Sequence, residues 1–355
     1  MAPLRLAAAA CAASGPIAAA LTLSPPAPRG LARASEENPV GSPRPADLAA
    51  WANGPRTVEA STLHHAEVRS LVGDYNLSIA AYGRWEDSMV SAELLAGNGR
   101  WETRHVKELC RLYRESGAVG NFLDIGANIG TFAIPLADCL GGGGRVLAVE
   151  GMPPTADHLV AGILDSRLKN VDVYPYAVGA SGDPRTVTMS LNPVNKGGSA
   201  VKGNKPFTNM TDDQLQDLFH PGKKAQKYAQ KVVVKEFSVP LTTGDHMLYH
   251  NPAMKAIVIA KVDIEGYEGR FIRGSNTLFT KYPPCFMTIE LIPEWLERAG
   301  TPAQEILDQL TAWGYKDVPT LAGLMKSNVE AKTRTVVQRD MAKCLQRVRS
   351  YASQQ

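Results

Sequence analysis

The chain is short of the features that identify a chemistry at a glance. Its five cysteines (Cys11, Cys110, Cys139, Cys285 and Cys344) form no CxxC pair, so neither a zinc knuckle nor a dithiol redox motif is supported. Cys11 falls in a leader-like segment, and Cys110, Cys139 and Cys285 stand in apolar contexts, which predicts buried thiols rather than a disulfide framework. Neither sign of charge dominates: 38 basic residues face 35 acidic ones, for a formal net charge of +3. That balance does not demand a polyanionic partner. There is no basic stripe interleaved with aromatics and no [ND]PP[YF] motif after the strand that ends at Asp263, so nucleic acid is not an expected partner. No internal repeat is visible, and after Leu23 no apolar run is long enough to span a membrane.

The amino-terminal segment lacks acids altogether; the first is Glu36. Arg5 precedes an alanine-rich apolar run, Leu6 to Leu23, broken by Ser14-Gly15-Pro16. A basic start, an apolar run and small residues predict a secretory signal over 1–34, cleaved or kept as a weak membrane anchor. The protein would then work in the secretory pathway, in the Golgi lumen or outside the cell. A transit peptide for the chloroplast or another organelle is the competing reading, because such leaders are also acid-poor and contain Arg and Ser. Residues 35–74 read as linker and amino-terminal extension, 75–339 as one domain with its core at 121–320, and 340–355 as a terminal helix.

Within that domain, Tyr75 to Tyr82 and Ser88 to Leu95 read as two short strands around a turn at 83–87. Trp101 to Glu115 reads as a helix with Val106, Leu109, Cys110, Leu112 and Tyr113 on one side. The stretch from Asn121 to Glu150 organises the chain. Phe122-Leu123-Asp124-Ile125 is a buried strand, Gly126 to Gly130 a glycine turn, then come an apolar helix and a second strand ending on Glu150. Val171 to Val178 predicts a third strand. Thr186 to Leu191 and Val232 to Val239 predict strands within an insertion that also holds a short helix near Asp212 to Phe219 and a lysine-rich stretch. Ala256 to Asp263 is almost continuously apolar, as a central parallel strand should be. Cys285 to Leu291 and Gly314 to Val318 continue the sheet, and Thr333 to Val337 is a candidate last strand. The alternation predicts a doubly wound α/β domain.

Ligands on such sheets lie outside the carboxyl ends of the strands. The polar residues there are Asp124, Glu150, Asp263, Glu265 and Glu290, nearly all acidic, and the glycine turn carries no Lys or Arg. A nucleotide needs its phosphates neutralised, and Asp-Ile-Gly-Ala-Asn-Ile-Gly matches neither GxGxxG nor GxxxxGK[ST]. An acidic rim suits a phosphate-free nucleoside with a positive centre, such as S-adenosyl-L-methionine, whose sulfonium and ammonium favour nearby carboxylates. An NAD-dependent oxidoreductase is the alternative on the same fold, disfavoured by the turn and by the lack of a YxxxK pair. A non-catalytic binding protein that kept the fold is a second alternative.

The runs FLDIGANIGTFAIPLA, VLAVEGMPP, Lys261 to Glu268 (KVDIEGYE) and Thr288-Ile289-Glu290-Leu291 resemble, in order and spacing, the FkbM-type S-adenosylmethionine-dependent methyltransferases. The resemblance covers roughly residues 88 to 318. It implies a class I methyltransferase (Rossmann-like) fold, a seven-stranded sheet with an antiparallel last strand, here behind an amino-terminal helical and hairpin extension. It also implies methylation of hydroxyl oxygens on small-molecule or glycan acceptors. The family's EP after the second strand is Glu150-Gly151 here, and its LD before the fourth strand is spread over Leu241 to Asp245.

By resemblance and geometry together, Gly126, Ala127, Asn128 and Gly130 shape the turn around the methionine part of the cofactor. Asp124 is expected to hydrogen-bond near its ammonium, Glu150 to accept from both ribose hydroxyls, and the segment from Ala177 to Gly179 to border adenine. Asp263, Glu265 and Glu290 are the candidates for the base that a hydroxyl acceptor requires. Glu265 as a helix cap and Lys261 as a structural ion-pair partner are the plainer alternatives. His246 is an outside candidate for base. The loop Asn195 to Ser199 is expected to border the acceptor pocket. The same three acids suggest a divalent metal only as a minor alternative, and no metal is expected.

Overall fold

The computed structural model describes residues 43–53, 62–98, 101–117, 119–205, 208, 234–330 and 334–353. The leader, the helix expected near Asp212 to Phe219 and the lysine-rich stretch lie outside the described residues.

Strands β1 (His64–Arg69) and β2 (Asn76–Ala81) pair antiparallel, with Ala66 opposite Ile79. The second strand of this hairpin is the one expected; its partner is not Ser88 to Leu95 but a stretch that reads as linker. Ser88 to Leu95 instead turns into a short helix, Val90–Glu93, and the helical turn Leu94–Asn98. The buried Asp87 carboxylate causes this. Its Oδ2 accepts from the Ser91 amide at 2.9 Å and from Ser91 Oγ at 2.7 Å, a local bond that competes with strand pairing. The helix Thr103–Glu115 buries Val106, Leu109, Cys110 and Tyr113 as its periodicity predicts.

Strands β3 (Asn121–Ile125), β4 (Val146–Val149) and β5 (Val171–Tyr174) come next, each nearly or wholly buried. The expected strand Val171 to Val178 is split at Pro175, which has no amide to donate. Its second part, β6 (Ala177–Val178), joins a separate sheet with β7 (Thr186–Leu191), β8 (Ala200–Val201) and β9 (Lys235–Thr242). The chain then returns through β10 (Ile257–Val262), β11 (Phe286–Ile289) and β12 (Thr335–Gln338).

The main sheet runs β12-β11-β10-β3-β4-β5, parallel except for β12. Its strand order reverses between β3 and β10, and their carboxyl ends frame the crevice where a ligand sits. The expected last strand is β12, antiparallel as expected, whereas the expected strand Gly314 to Val318 is reduced to one antiparallel bridge, Lys316 to Gln338. Left-handed backbone at Gly314 (φ 81°) and Asp317 (φ 62°) leaves no longer extended run between them. Alternation along the strands divides the core between the two faces. Phe122, Val146, Ala148 and Val173 pack on one side; Leu123, Ile125, Leu147 and Val149 pack on the other.

The expectation of unpaired thiols is wrong for four of the five cysteines. Cys110 bridges to Cys139, tying the helix Thr103–Glu115 to the helix Ala133–Leu140. Cys285 bridges to Cys344, tying the start of β11 to the terminal helix Met341–Ala352. Both pairs are brought together by tertiary packing across 29 and 59 positions, which no spacing motif signals. A further helix, Leu321–Glu330, lies in a segment for which the sequence suggests no element. No helix among the described residues is long and apolar enough to cross a membrane.

Candidate active site

The turn after β3 is closed by backbone that only certain residues tolerate. At Gly126 φ is +84°, and a Cβ there would stand 1.9 Å from the Asp263 carbonyl oxygen, so β3 and β10 meet over a glycine. Asn128 is also left-handed, at φ 52°, and its Oδ1 accepts from the Ile129 amide at 2.8 Å. Gly130 sits where a Cβ would meet Ile134 and Leu159, so it serves helix packing.

Glu150, one residue past β4, is 8% exposed. Its Oε2 accepts from the Asn128 amide at 2.9 Å and its Oε1 from the Met152 amide at 2.8 Å. Each carboxylate oxygen therefore has a fixed donor and capacity for another. Burial pushes the Glu150 carboxyl up to about 7, against the pull of the two amides. Gly126, Asn128, Glu150 and Ala177 all border a cavity of about 510 Å³. That wall suits S-adenosylmethionine: a glycine turn for close approach, a diol-sized carboxylate, and an uncharged strand end for adenine. Asp124 and Ala127 are not on the wall. Asp124 is sealed beneath the turn, fully buried, with Lys261 Nζ 3.4 Å from its Oδ1. Lys261 donates to the Gly126 carbonyl at 2.7 Å and lies 3.6 Å from Asp263 Oδ2, so its ammonium joins the turn to the acids opposite.

Across the cavity stand Asp263, Glu265 and Glu290, each with a carboxylate oxygen within 4.8 Å of the others. Glu265 is held left-handed, at φ 59°, and forms an ion pair with Lys205, whose ammonium lies 3.1 Å over the Trp295 ring. Asn204 also donates to the Glu265 carbonyl at 2.8 Å. The helix-capping role considered for Glu265 is not observed, since the helix Glu268–Arg273 has no side-chain cap; Glu268 Oε1 instead accepts from the Ile264 and Gly266 amides of the turn before it. Arg334, just ahead of β12, places Nη1 2.6 Å from Asp263 Oδ2 and Nη2 2.6 Å from Glu102 Oε1. Its guanidinium lies 5.2 Å from the centre of the Phe132 ring.

These partners separate the three acids. Burial pushes the Asp263 carboxyl up, but Arg334 and Lys261 overcome it and hold the group well below the usual carboxylate range. Burial also pushes Glu290 up, and here the charges of Asp263, Glu265 and Glu268 add to it. Glu290 Oε2 has no hydrogen-bond partner among the described residues. The spacing of the cluster would admit a cation, but Lys205, Lys261 and Arg334 already stand against two of its three acids, and we assign no metal.

Sequence reasoning misses Glu102, Lys205 and Arg334. Their contacts with the acids run between distant parts of the chain and leave no local pattern. His246 contacts Thr242 and His250 and is not on the cavity wall. The loop Asn195 to Ser199 does line the cavity, but over the cofactor turn: a Cβ on Gly197 would stand 2.5 Å from Asn128 Nδ2.

None of the curated proteins matches this chain. Among solved structures, the T. thermophilus 16S rRNA N2 G1207 methyltransferase (RsmC), in complex with AdoMet and guanosine, is 12% identical with a TM-score of 0.32. The alignment covers 80% of this chain and 52% of that one, so the chain spans about half the length of that protein. The family model for the methyltransferase FkbM domain matches residues 124–316, more than half of the chain. That segment runs from the glycine turn to beyond the acid cluster, and the chain belongs to the FkbM family of S-adenosylmethionine-dependent methyltransferases.

Proposed function

We propose that the enzyme O-methylates a hydroxyl group of a sugar, a glycan or a small metabolite, and that Glu290 takes the hydroxyl proton. One observation carries this reading: of three carboxyls facing the cofactor turn across one cavity, only Glu290 has no cation directly against it among the described residues. When bound, S-adenosylmethionine would supply an electrophilic methyl on a sulfonium, beside which the ionised form of Glu290 is favoured. Glu150 would hold the ribose, and the glycine turn would hold the methionine part. Arg334 and Lys261 hold Asp263 as an anion, and Lys205 ties down Glu265 through its ion pair. Methyl transfer is an in-line displacement, so holding the hydroxyl between Glu290 and the methyl group supplies much of the acceleration. A proton acceptor with a raised pKa is matched to a weakly acidic hydroxyl.

The two disulfides support work in an oxidising compartment, which accords with the secretory reading of the leader. To test the reaction, the enzyme is incubated with methyl-labelled cofactor and fractionated glycans, lipids and small metabolites. The reading expects label in a glycan or hydroxylated metabolite, as an ether that survives mild alkali. Label in an alkali-labile ester, or on nitrogen, overturns it.

A further inference from the structure

Two of the residues around the acid cluster, Glu102 and Arg334, lie outside the segment that matches the family model. Glu102 precedes the helix Thr103–Glu115 with its backbone at φ 55°, a conformation disfavoured for glutamate. Its carboxylate receives Arg334 Nη2 at 2.6 Å and Nε at 3.1 Å, a fork that a lysine cannot reproduce. The remaining corner of the guanidinium, Nη1, stands 2.6 Å from Asp263 Oδ2, an ion pair by distance rather than an aligned hydrogen bond. The Arg334 side chain is only 11% exposed and is flanked by the Phe132 ring, so its charge acts with little screening by water.

We propose that Arg334 is a positioning residue for the methyl-transfer reaction: clasped by Glu102, it fixes Asp263 as a permanent anion and leaves Glu290 as the one carboxyl of the cluster that exchanges a proton. Three carboxyls this close cannot all ionise unaided, and without a bias the proton would be shared among them. The charged groups around Glu290 are Asp263 and Glu265 after β10, Glu268 at the next helix start and Arg334 ahead of β12; Lys205 and Lys261 act on it through Glu265 and Asp263. Arg334 is the group that links the amino-terminal extension to this cluster. The specificity of the acid–base step is thus set partly by parts of the chain beyond the family segment. This inference rests on the reading of Glu290 as proton acceptor.

The test uses the free protein labelled with 13C at the side-chain carboxyls of Asp and Glu, titrated by NMR. Asp263 and Glu290 are assigned from Asp263→Asn and Glu290→Gln. In Arg334→Gln the Asp263 midpoint is expected to rise by at least one pH unit. Arg334→Lys should give a smaller rise. Glu102→Gln, which leaves the guanidinium against Asp263, should stay within half a unit of the wild type. The acid limb of the methylation pH profile should move to higher pH in the same order. An Asp263 midpoint unmoved in Arg334→Lys and Arg334→Gln, or a rate lowered equally at every pH, overturns the proposal and leaves Arg334 as a structural tie. If Arg334→Gln does not fold, the comparison of Arg334→Lys with Glu102→Gln decides by the same order. Full activity of Glu290→Gln would instead defeat the reading of the base, whatever Arg334 does.

Discussion

Replacing Glu150 by alanine should remove most of the affinity for S-adenosylmethionine. The carboxylate is 8% exposed, and both of its oxygens are aligned by amides, those of Asn128 and Met152 at 2.9 and 2.8 Å. On the proposed reading, two ribose hydroxyls donating to it would make charge-assisted hydrogen bonds of about 1.5–3 kcal/mol each. The loss is then about 3–6 kcal/mol, or about 100- to 10,000-fold in Kd. Alanine also leaves two amides without their acceptor, at about 1–3 kcal/mol each in stability where they stay dry. Glutamine separates the two effects: its carbonyl keeps one amide satisfied, while its NH2 faces the other donor, so its Kd should fall between wild type and alanine. Isothermal titration calorimetry on protein shown to be folded by circular dichroism measures both. A Kd for Glu150→Ala within threefold of the wild type would refute the assignment of the cofactor seat.

The same geometry yields two other outcomes. In the cofactor-free protein Glu150 is raised to about 7 from its ordinary 4.5, so the folded state binds this proton more tightly than the unfolded chain does. That contribution to stability is full below pH 4.5 and is lost as pH rises through 7, to a limit of about 3 kcal/mol at about 1.4 kcal/mol per unit. Denaturant melts at pH 5 and 8 should show the loss, and Glu150→Gln should abolish it; a pH-independent difference between wild type and variant would contradict the burial argument. Each disulfide closes a loop in the unfolded chain, so Cys110→Ser or Cys344→Ser should destabilise the protein by about 4 kcal/mol. A midpoint of denaturation unchanged by reductant would mean that the bridges do not form.

What the sequence makes legible is local. β3, the turn and β4 can be read because an apolar run, glycines at left-handed positions and a terminal acid are adjacent in the chain. β10 can be read because its run is short, β-branched and almost continuously apolar, and the residues that follow it carry the acids. Ser88 to Leu95 misleads because its alternation looks like a strand until the Asp87 side chain is seen holding Ser91. The disulfides and the cations against the acids are invisible for a common reason. Cys139, Cys344, Lys205 and Arg334 meet their partners only after the sheet is built, and each stands in an ordinary stretch of sequence. The roles of Asp263 and Glu290 cannot be told apart from spacing. Their difference lies in Arg334 and Lys261 standing against one and not the other.

The most direct test is a pairing of two measurements on Glu290→Gln: cofactor affinity by calorimetry, and single-turnover transfer of labelled methyl to the acceptor. On the proposed reading the seat for the cofactor lies at the turn and Glu150, and the proton acceptor lies across the cavity. The variant should therefore bind S-adenosylmethionine within a few-fold of wild type yet transfer methyl at least a hundredfold more slowly, within the range that general-base catalysis contributes, about 10²- to 10⁴-fold. Transfer at the wild-type rate, with binding intact, would contradict the account.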